Sequence, residues 1–170
     1  LFLQPLILLA SVLISPSWAD AKPQAAYSAI IDAGSSGSRI YLYKAIRKGS
    51  ATQVEDLWGF EPKDVPGLSD FKEHPNEAYN AGVVPLLVPL RSFLGEKGLK
   101  EGEVTVHVLA TGGLRLLDPV QSHSILEAIG SGLKATEFSV GRIGILPSEL
   151  EGLLAWADLN ALLGRLAPGK

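Results

Sequence analysis

The chain has 170 residues, a formal net charge of −3, a pI near 5.6 and no cysteine. The charge gives no field for nucleic acid or acidic membranes. The missing cysteines remove disulfides, thiolate nucleophiles and structural zinc. Any anion must therefore be held by local geometry.

Leu1 to Ile14 is almost wholly apolar and is followed by Ser15-Pro16-Ser17-Trp18-Ala19. Ser17 and Ala19 stand at the −3 and −1 positions of an export cleavage site, so residues 1–19 read as a signal peptide. An uncleaved membrane anchor is the rival reading. Gln4, Pro5 and Pro16 leave less than the roughly 20 apolar residues that spanning requires, and no stable anchor is expected. Residues 20–170 then form one domain with a substantial core. An exported protein without disulfides fits the bacterial periplasm or the extracellular space, and an ER or Golgi lumen also suits it.

Ala26 to Ile31 reads as a strand and Arg39 to Ile46 as its hairpin partner, with Thr52 to Gly59 as a third strand. Between the first two lies Asp32-Ala33-Gly34-Ser35-Ser36-Gly37-Ser38-Arg39. This turn offers backbone N–H groups and three hydroxyls to an anion, with a carboxylate beside them. Asp32 suits a hydrated divalent cation, and Arg39 could grip a phosphate bidentately. The stretch lacks the lysine of G-x-x-x-x-G-K-[ST] and continues into a strand, not a helix. Taken alone, the same stretch also reads as an ordinary hairpin connection that binds nothing.

Glu61 to Pro75, rich in proline, glycine and charge, reads as a loop. Glu77 to Leu94 has helical spacing, with Pro85 and Pro89 bending or splitting it. Val104 to Ala110 alternates as a strand and runs into Thr111-Gly112-Gly113-Leu114-Arg115, where a short helix to Leu117 begins. Thr111, Gly112 and the turn amides suit an anion or metal-bound water. Equally, this is an ordinary strand-to-helix connection with Arg115 on a surface. Pro119 to Lys134 reads as a helix, Phe138 to Leu146 as a strand, and Ser148 to Gly164 as a helix apolar nearly all round, hence buried, with Trp156 in the core. At its start Ser148 and Glu151 have capping-box spacing. The competing role for Glu151 is a carboxylate aimed into a cleft to orient an attacking water. The three histidines, His74, His107 and His123, have no metal-ligand spacing.

Three strands followed by helix, strand, helix, strand, helix is the order of an α/β ribonuclease-H-like or actin-like lobe: a mixed sheet with flanking helices and a β-hairpin phosphate loop. The segments at Asp32–Arg39, Val108–Leu117 and Ser148–Trp156, in this order and spacing, resemble the first three conserved regions of the apyrase family. That family comprises the nucleoside triphosphate diphosphohydrolases and nucleoside diphosphatases. Pro66-Gly67-Leu68-Ser69, Pro75, Ala78 and Pro85-Leu86-Leu87 resemble it in between.

The resemblance implies a two-lobed enzyme that hydrolyses nucleoside tri- and diphosphates with Mg²⁺ or Ca²⁺. It makes Gly34 to Arg39 the first phosphate loop, with Asp32 on metal-bound water. Thr111 and Gly112 would lie near the terminal phosphate, and Glu151 would be the catalytic base. Gly37 with Arg39 is nearer the soluble and Golgi-type branch, which points to nucleoside diphosphates. Two positions depart from the family pattern: Gly112 stands where alanine is usual, and Leu150 where an acid often precedes the base. The second lobe, with its D-x-G-G-type loop, lies outside residues 1–170, so these residues alone are expected to turn over little. The rival readings are a non-catalytic isolated lobe and an exopolyphosphatase or sugar-kinase-like lobe of the same superfamily.

Overall fold

The computed structural model describes residues 25–48 and 51–162. The expected signal peptide and the last residues of the expected helix to Gly164 lie outside them. Five strands form one mixed sheet in the order β3-β2-β1-β4-β5. They are β1 (Ala26–Gly34), β2 (Gly37–Lys48), β3 (Ala51–Phe60), β4 (Val104–Ala110) and β5 (Ser139–Ile145). β1 runs antiparallel to β2 and parallel to β4, and β5 is parallel to β4. The helices are α1 (Val84–Lys97), α2 (Gly112–Arg115), α3 (Pro119–Lys134) and α4 (Ser148–Leu162). Among the described residues no helix is long and apolar enough to cross a membrane.

Period-2 alternation sorts the strand residues onto two faces. Ala29, Ile31, Ala33, Ile40, Leu42, Val106 and Val108 pack against Leu86, Leu87, Leu90 and Leu94 of α1 and Ile125, Ile129 and Leu133 of α3. The opposite face carries Ile30, Tyr41, Tyr43 and Leu109, with Leu146 and, partly buried, Leu150 of α4 against them. The sheet is thus covered by two helices on one face and touched by a third on the other.

The helix expected over Glu77 to Leu94, bent or split by its prolines, instead runs without a break and changes from π-helical to α-helical at Val84. A π-helical turn, Ala78–Val83, precedes α1, Pro85 occupies its first turn and Pro89 is carried inside. Pro89, inside α1, removes one hydrogen bond from the ladder. Gly98 ends α1 in the left-handed region, with the Leu99 amide donating to the Leu94 carbonyl. In α3, the Asp118 side chain caps the Val120 amide at 2.8 Å. The loop at Glu61 to Pro75 is more ordered than its composition suggests, because Val65, Leu68 and Phe71 are buried and Leu68–Phe71 forms a 3-10 turn.

The burial expected of α4 is overturned. Leu153 and Trp156 are 57% and 58% exposed. An apolar surface all round a helix specifies burial only where protein lies on every side, and among the described residues only the Leu150 side is shown packed. The helix expected to reach Leu117 after Thr111 stops at Arg115.

His107 fills an irregularity that the sequence did not announce. Between Val106↔Val140 and Val108↔Ile143 two β5 residues face one of β4, a bulge. The buried His107 ring lies over Gly141, where an added Cβ would meet it at 2.5 Å. Its Nδ1 accepts from the Arg142 amide at 3.0 Å. Burial holds its pKa below the ordinary histidine value.

Candidate active site at the carboxyl end of the sheet

Parallel pairing of β1, β4 and β5 brings their C-terminal ends to one edge. The three segments singled out in the sequence all leave from there, which is where open α/β sheets place their ligands. β1 and β2 extend further than the alternation implied and pair to Gly34↔Gly37, leaving Ser35-Ser36 as a two-residue turn. Gly37 has φ +146°, which side-chain-bearing residues seldom adopt.

The tip is cradled by two other segments. A Cβ on Gly67 would stand 2.9 Å from the Ser35 carbonyl oxygen and 3.1 Å from that of Gly34. A Cβ on Gly113 would stand 3.1 Å from Ser35 Cα. Glycine at 67 and 113 lets the loop after β3 and the first turn of α2 close on the hairpin backbone. The Thr111 amide donates to the Ala33 carbonyl at 3.1 Å, and its hydroxyl reaches the same oxygen at 3.5 Å. Thr111 and Gly112 are therefore tied beside the tip. Ser35 and Ser36 are exposed. Ser38 differs: it is 2% exposed on the face of α1 and α3, and its Oγ has no hydrogen-bond partner among the described residues.

Asp32 and Arg39 are register partners across the hairpin. Burial raises the Asp32 pKa, Arg39 opposes that, and the Glu151 and Glu61 carboxylates reinforce it. Three carboxylates thus share one neighbourhood. Glu61 is held there by Tyr41, whose hydroxyl donates to Glu61 Oε1. Burial and that bond raise the Tyr41 pKa. The ring of Tyr41 lies across Gly59, its partner on β3.

Glu151 Oε2 accepts from Arg115 Nη2 at 2.7 Å, so the carboxylate is engaged outside its own helix. The first turn of α4 is met instead by the Pro147 carbonyl, which accepts from the Leu150 and Glu151 amides at 3.1 and 3.0 Å. The capping-box spacing of Ser148 and Glu151 thus understated where this side chain goes. Arg115 is likewise not a spectator on a surface, since its Nη1 also donates to the Leu146 carbonyl at 2.8 Å.

Sequence reasoning missed Glu61, Tyr41 and the role of Arg115. Tyr41 alternates onto the same strand face as Arg39, which was a usable signal. Glu61 stands one residue beyond Phe60, the β3 partner of Ile40, so the antiparallel ladder carries it to the level of Arg39 and Asp32; the register shift at Leu42/Tyr43 hides this from a simple count along the sequence. Among the described residues no three His, Cys, Asp or Glu side chains stand close enough to hold a metal directly. The oxygen-only donors fit a hard divalent cation, and Mg²⁺ in particular keeps several waters and needs few protein ligands.

A mixed sheet of this order with flanking helices, its hairpin tip, strand-to-helix turn and helix-borne carboxylate all at one edge, defines an actin-like lobe. Residues 19–169 match the model of the GDA1/CD39 (nucleoside phosphatase) family, and the chain belongs to that family. It is 37% identical over 150 residues to a nucleoside-triphosphatase of Caenorhabditis elegans, covering 82% of this chain and 26% of that protein. A Golgi apyrase of Saccharomyces cerevisiae is 33% identical over 160 residues, covering 81% and 25%. A probable guanosine-diphosphatase of Aspergillus fumigatus is 35% identical over 156 residues, covering 85% and 30%. The crystal structure of a nucleoside triphosphate hydrolase from Neospora caninum superposes with TM-score 0.54 at 21% identity, over 89% of this chain and 34% of the other. The chain spans about a quarter to a third of the length of these relatives.

Proposed function

We propose that this chain is the first lobe, over residues 20–170, of a hydrolase that releases phosphate from nucleoside tri- or diphosphates with a divalent cation, Mg²⁺ or Ca²⁺. The observation that carries the reading is the half-buried Asp32, within electrostatic reach of Arg39, Glu151 and Glu61, beside a backbone turn cradled by Gly67 and Gly113. Family membership and relatives named as triphosphatase, apyrase and guanosine-diphosphatase support it. The Golgi relative supports a secretory-pathway lumen, reached through the leader at residues 1–19.

In this reading the amides from Gly34 to Ser38, the hydroxyls of Ser35 and Ser36, and the turn at Thr111 and Gly112 hold phosphate oxygens. Arg39 adds a positive charge. The buried Ser38 hydroxyl lies on the far face, so Ser38 serves through its backbone. Asp32 would hold the cation through water, and the cation when bound neutralises phosphate charge. Glu151 orients the attacking water. Phosphoryl transfer depends on positioning and electrostatics more than on a strong base, so an ionised carboxylate suffices. The second lobe supplies the opposite wall and the base-binding surface.

Glu151→Gln in the two-lobed protein tests this directly. Phosphate release should fall by a factor of about 100 or more while the circular dichroism spectrum stays unchanged. Chelation of divalent cations should abolish turnover, and re-addition restore it. Near-normal release by Glu151→Gln would leave the residue a purely structural partner of Arg115.

A further inference from the structure

We propose that Arg115 is a positioning residue that aims Glu151, an inference that rests on the assignment of Glu151 as the base. Its guanidinium joins three elements through fixed bonds. Nη2 donates to Glu151 Oε2 at 2.7 Å and Nη1 to the Leu146 carbonyl at 2.8 Å. The amide of Leu146 in turn donates to the Ala110 carbonyl at 2.8 Å. Leu146, just past the end of β5, is therefore held at both its amide and its carbonyl. The next carbonyl, of Pro147, receives the Leu150 and Glu151 amides. Arg115 thus sets the entry of α4 and the side-chain direction of Glu151 together.

The pair is partly exposed, 27% for Arg115 and 41% for Glu151. Such ion pairs contribute little to fold stability. What the geometry achieves is orientation: one carboxylate oxygen is fixed, and in the proposed reaction the other would accept from the attacking water. Both terminal nitrogens of the guanidinium are thus engaged by groups of the lobe itself. Lysine cannot reproduce this, since it has one compact head group in place of a planar fork.

The test is a double-mutant cycle in the two-lobed protein with a nucleoside diphosphate and a divalent cation. Arg115→Met should lower kcat about 10- to 100-fold, as expected for a misaimed group. KM should stay within about threefold, because substrate contacts are retained. In a Glu151→Gln background the same substitution should lower kcat by less than about threefold, since the two residues act as a unit. If Arg115→Met does not fold, Arg115→Gln, which retains a donor for the Leu146 carbonyl, takes its place in the cycle. A raised KM with unchanged kcat would overturn the proposal in favour of a phosphate ligand. So would a full, additive loss in the Glu151→Gln background. Normal turnover by Glu151→Gln alone would refute the base assignment itself, and this proposal with it.

Discussion

Gly67→Ala is the sharpest probe of how the hairpin tip is held. Gly67 has φ −65° and ψ 147°, a conformation alanine adopts freely. The backbone therefore exacts no penalty, and restricting the unfolded chain should by itself stabilise by about 0.4–1 kcal/mol. Against that, the new methyl meets the Ser35 oxygen at 2.9 Å, the Gly34 oxygen at 3.1 Å and the Ser35 carbonyl carbon at 3.3 Å. All three are main-chain atoms, so relief requires moving the tip by several tenths of an ångström. Overpacking of this kind costs about 1–3 kcal/mol, which after that gain leaves a net loss of up to about 2.6 kcal/mol. Gly112→Ala is the control: its methyl would meet only Arg115 Nη2, at 3.7 Å. It should be neutral or stabilising by up to about 1 kcal/mol. Urea unfolding of both variants measures the difference, and nucleotide affinity should weaken only for Gly67→Ala. If the two variants unfold at the same urea concentration, the tip is not held by backbone contact at Gly67.

Two further outcomes follow from the buried ionisable groups. Asp32 is raised by burial and opposed by Arg39, with Glu151 and Glu61 adding to the rise, so the folded state binds its proton more tightly than the unfolded chain does. Stability attached to this group is lost as pH rises through the carboxylate range. Asp32→Asn should therefore stabilise the fold at pH 7 by about 0.5–2 kcal/mol while removing most phosphate release, read by urea unfolding and a phosphate assay. His107 has the opposite sense: its lowered pKa means its contribution is complete above pH 6.5 and is lost as pH falls below that. Each unit of depression is worth about 1.4 kcal/mol. His107→Asn, which keeps an acceptor near the Arg142 amide, should flatten unfolding curves measured between pH 7 and 5. Parallel pH dependence in both proteins would exclude the bulge histidine as its source.

The order of elements along the chain was readable because glycine or proline punctuates most junctions and apolar runs mark the strands between them. Asp32, Thr111 and Glu151 were readable because each stands next to such a junction. What periodicity could not carry was any relation between side chains far apart in the chain. Arg115 reaches Glu151 across 36 positions, and Tyr41 reaches Glu61 across 20. The exposure of Leu153 and Trp156 escaped for a related reason: hydrophobicity records what a helix can bury against, not which partner is within the described residues. Gly67 and Gly113 were visible as letters of a pattern, and their purpose became visible only when the Ser35 backbone was found against both.

The one-ended arrangement of the sheet has a practical side. The turns that lead into β4 and β5, at Gly98–Glu103 and Ala135–Phe138, lie at the other end, where a Cβ on Gly102 would stand 3.6 Å from the Glu137 carbonyl oxygen. A seven-residue strand separates them from the hairpin tip by about 20 Å. Since residues 1–170 contain no cysteine, a single one placed at Lys100 or Glu137 would carry a fluorophore or spin label at one position within this lobe. Such a reporter could follow movements of the lobe during turnover from a distance at which it touches none of the groups doing the chemistry.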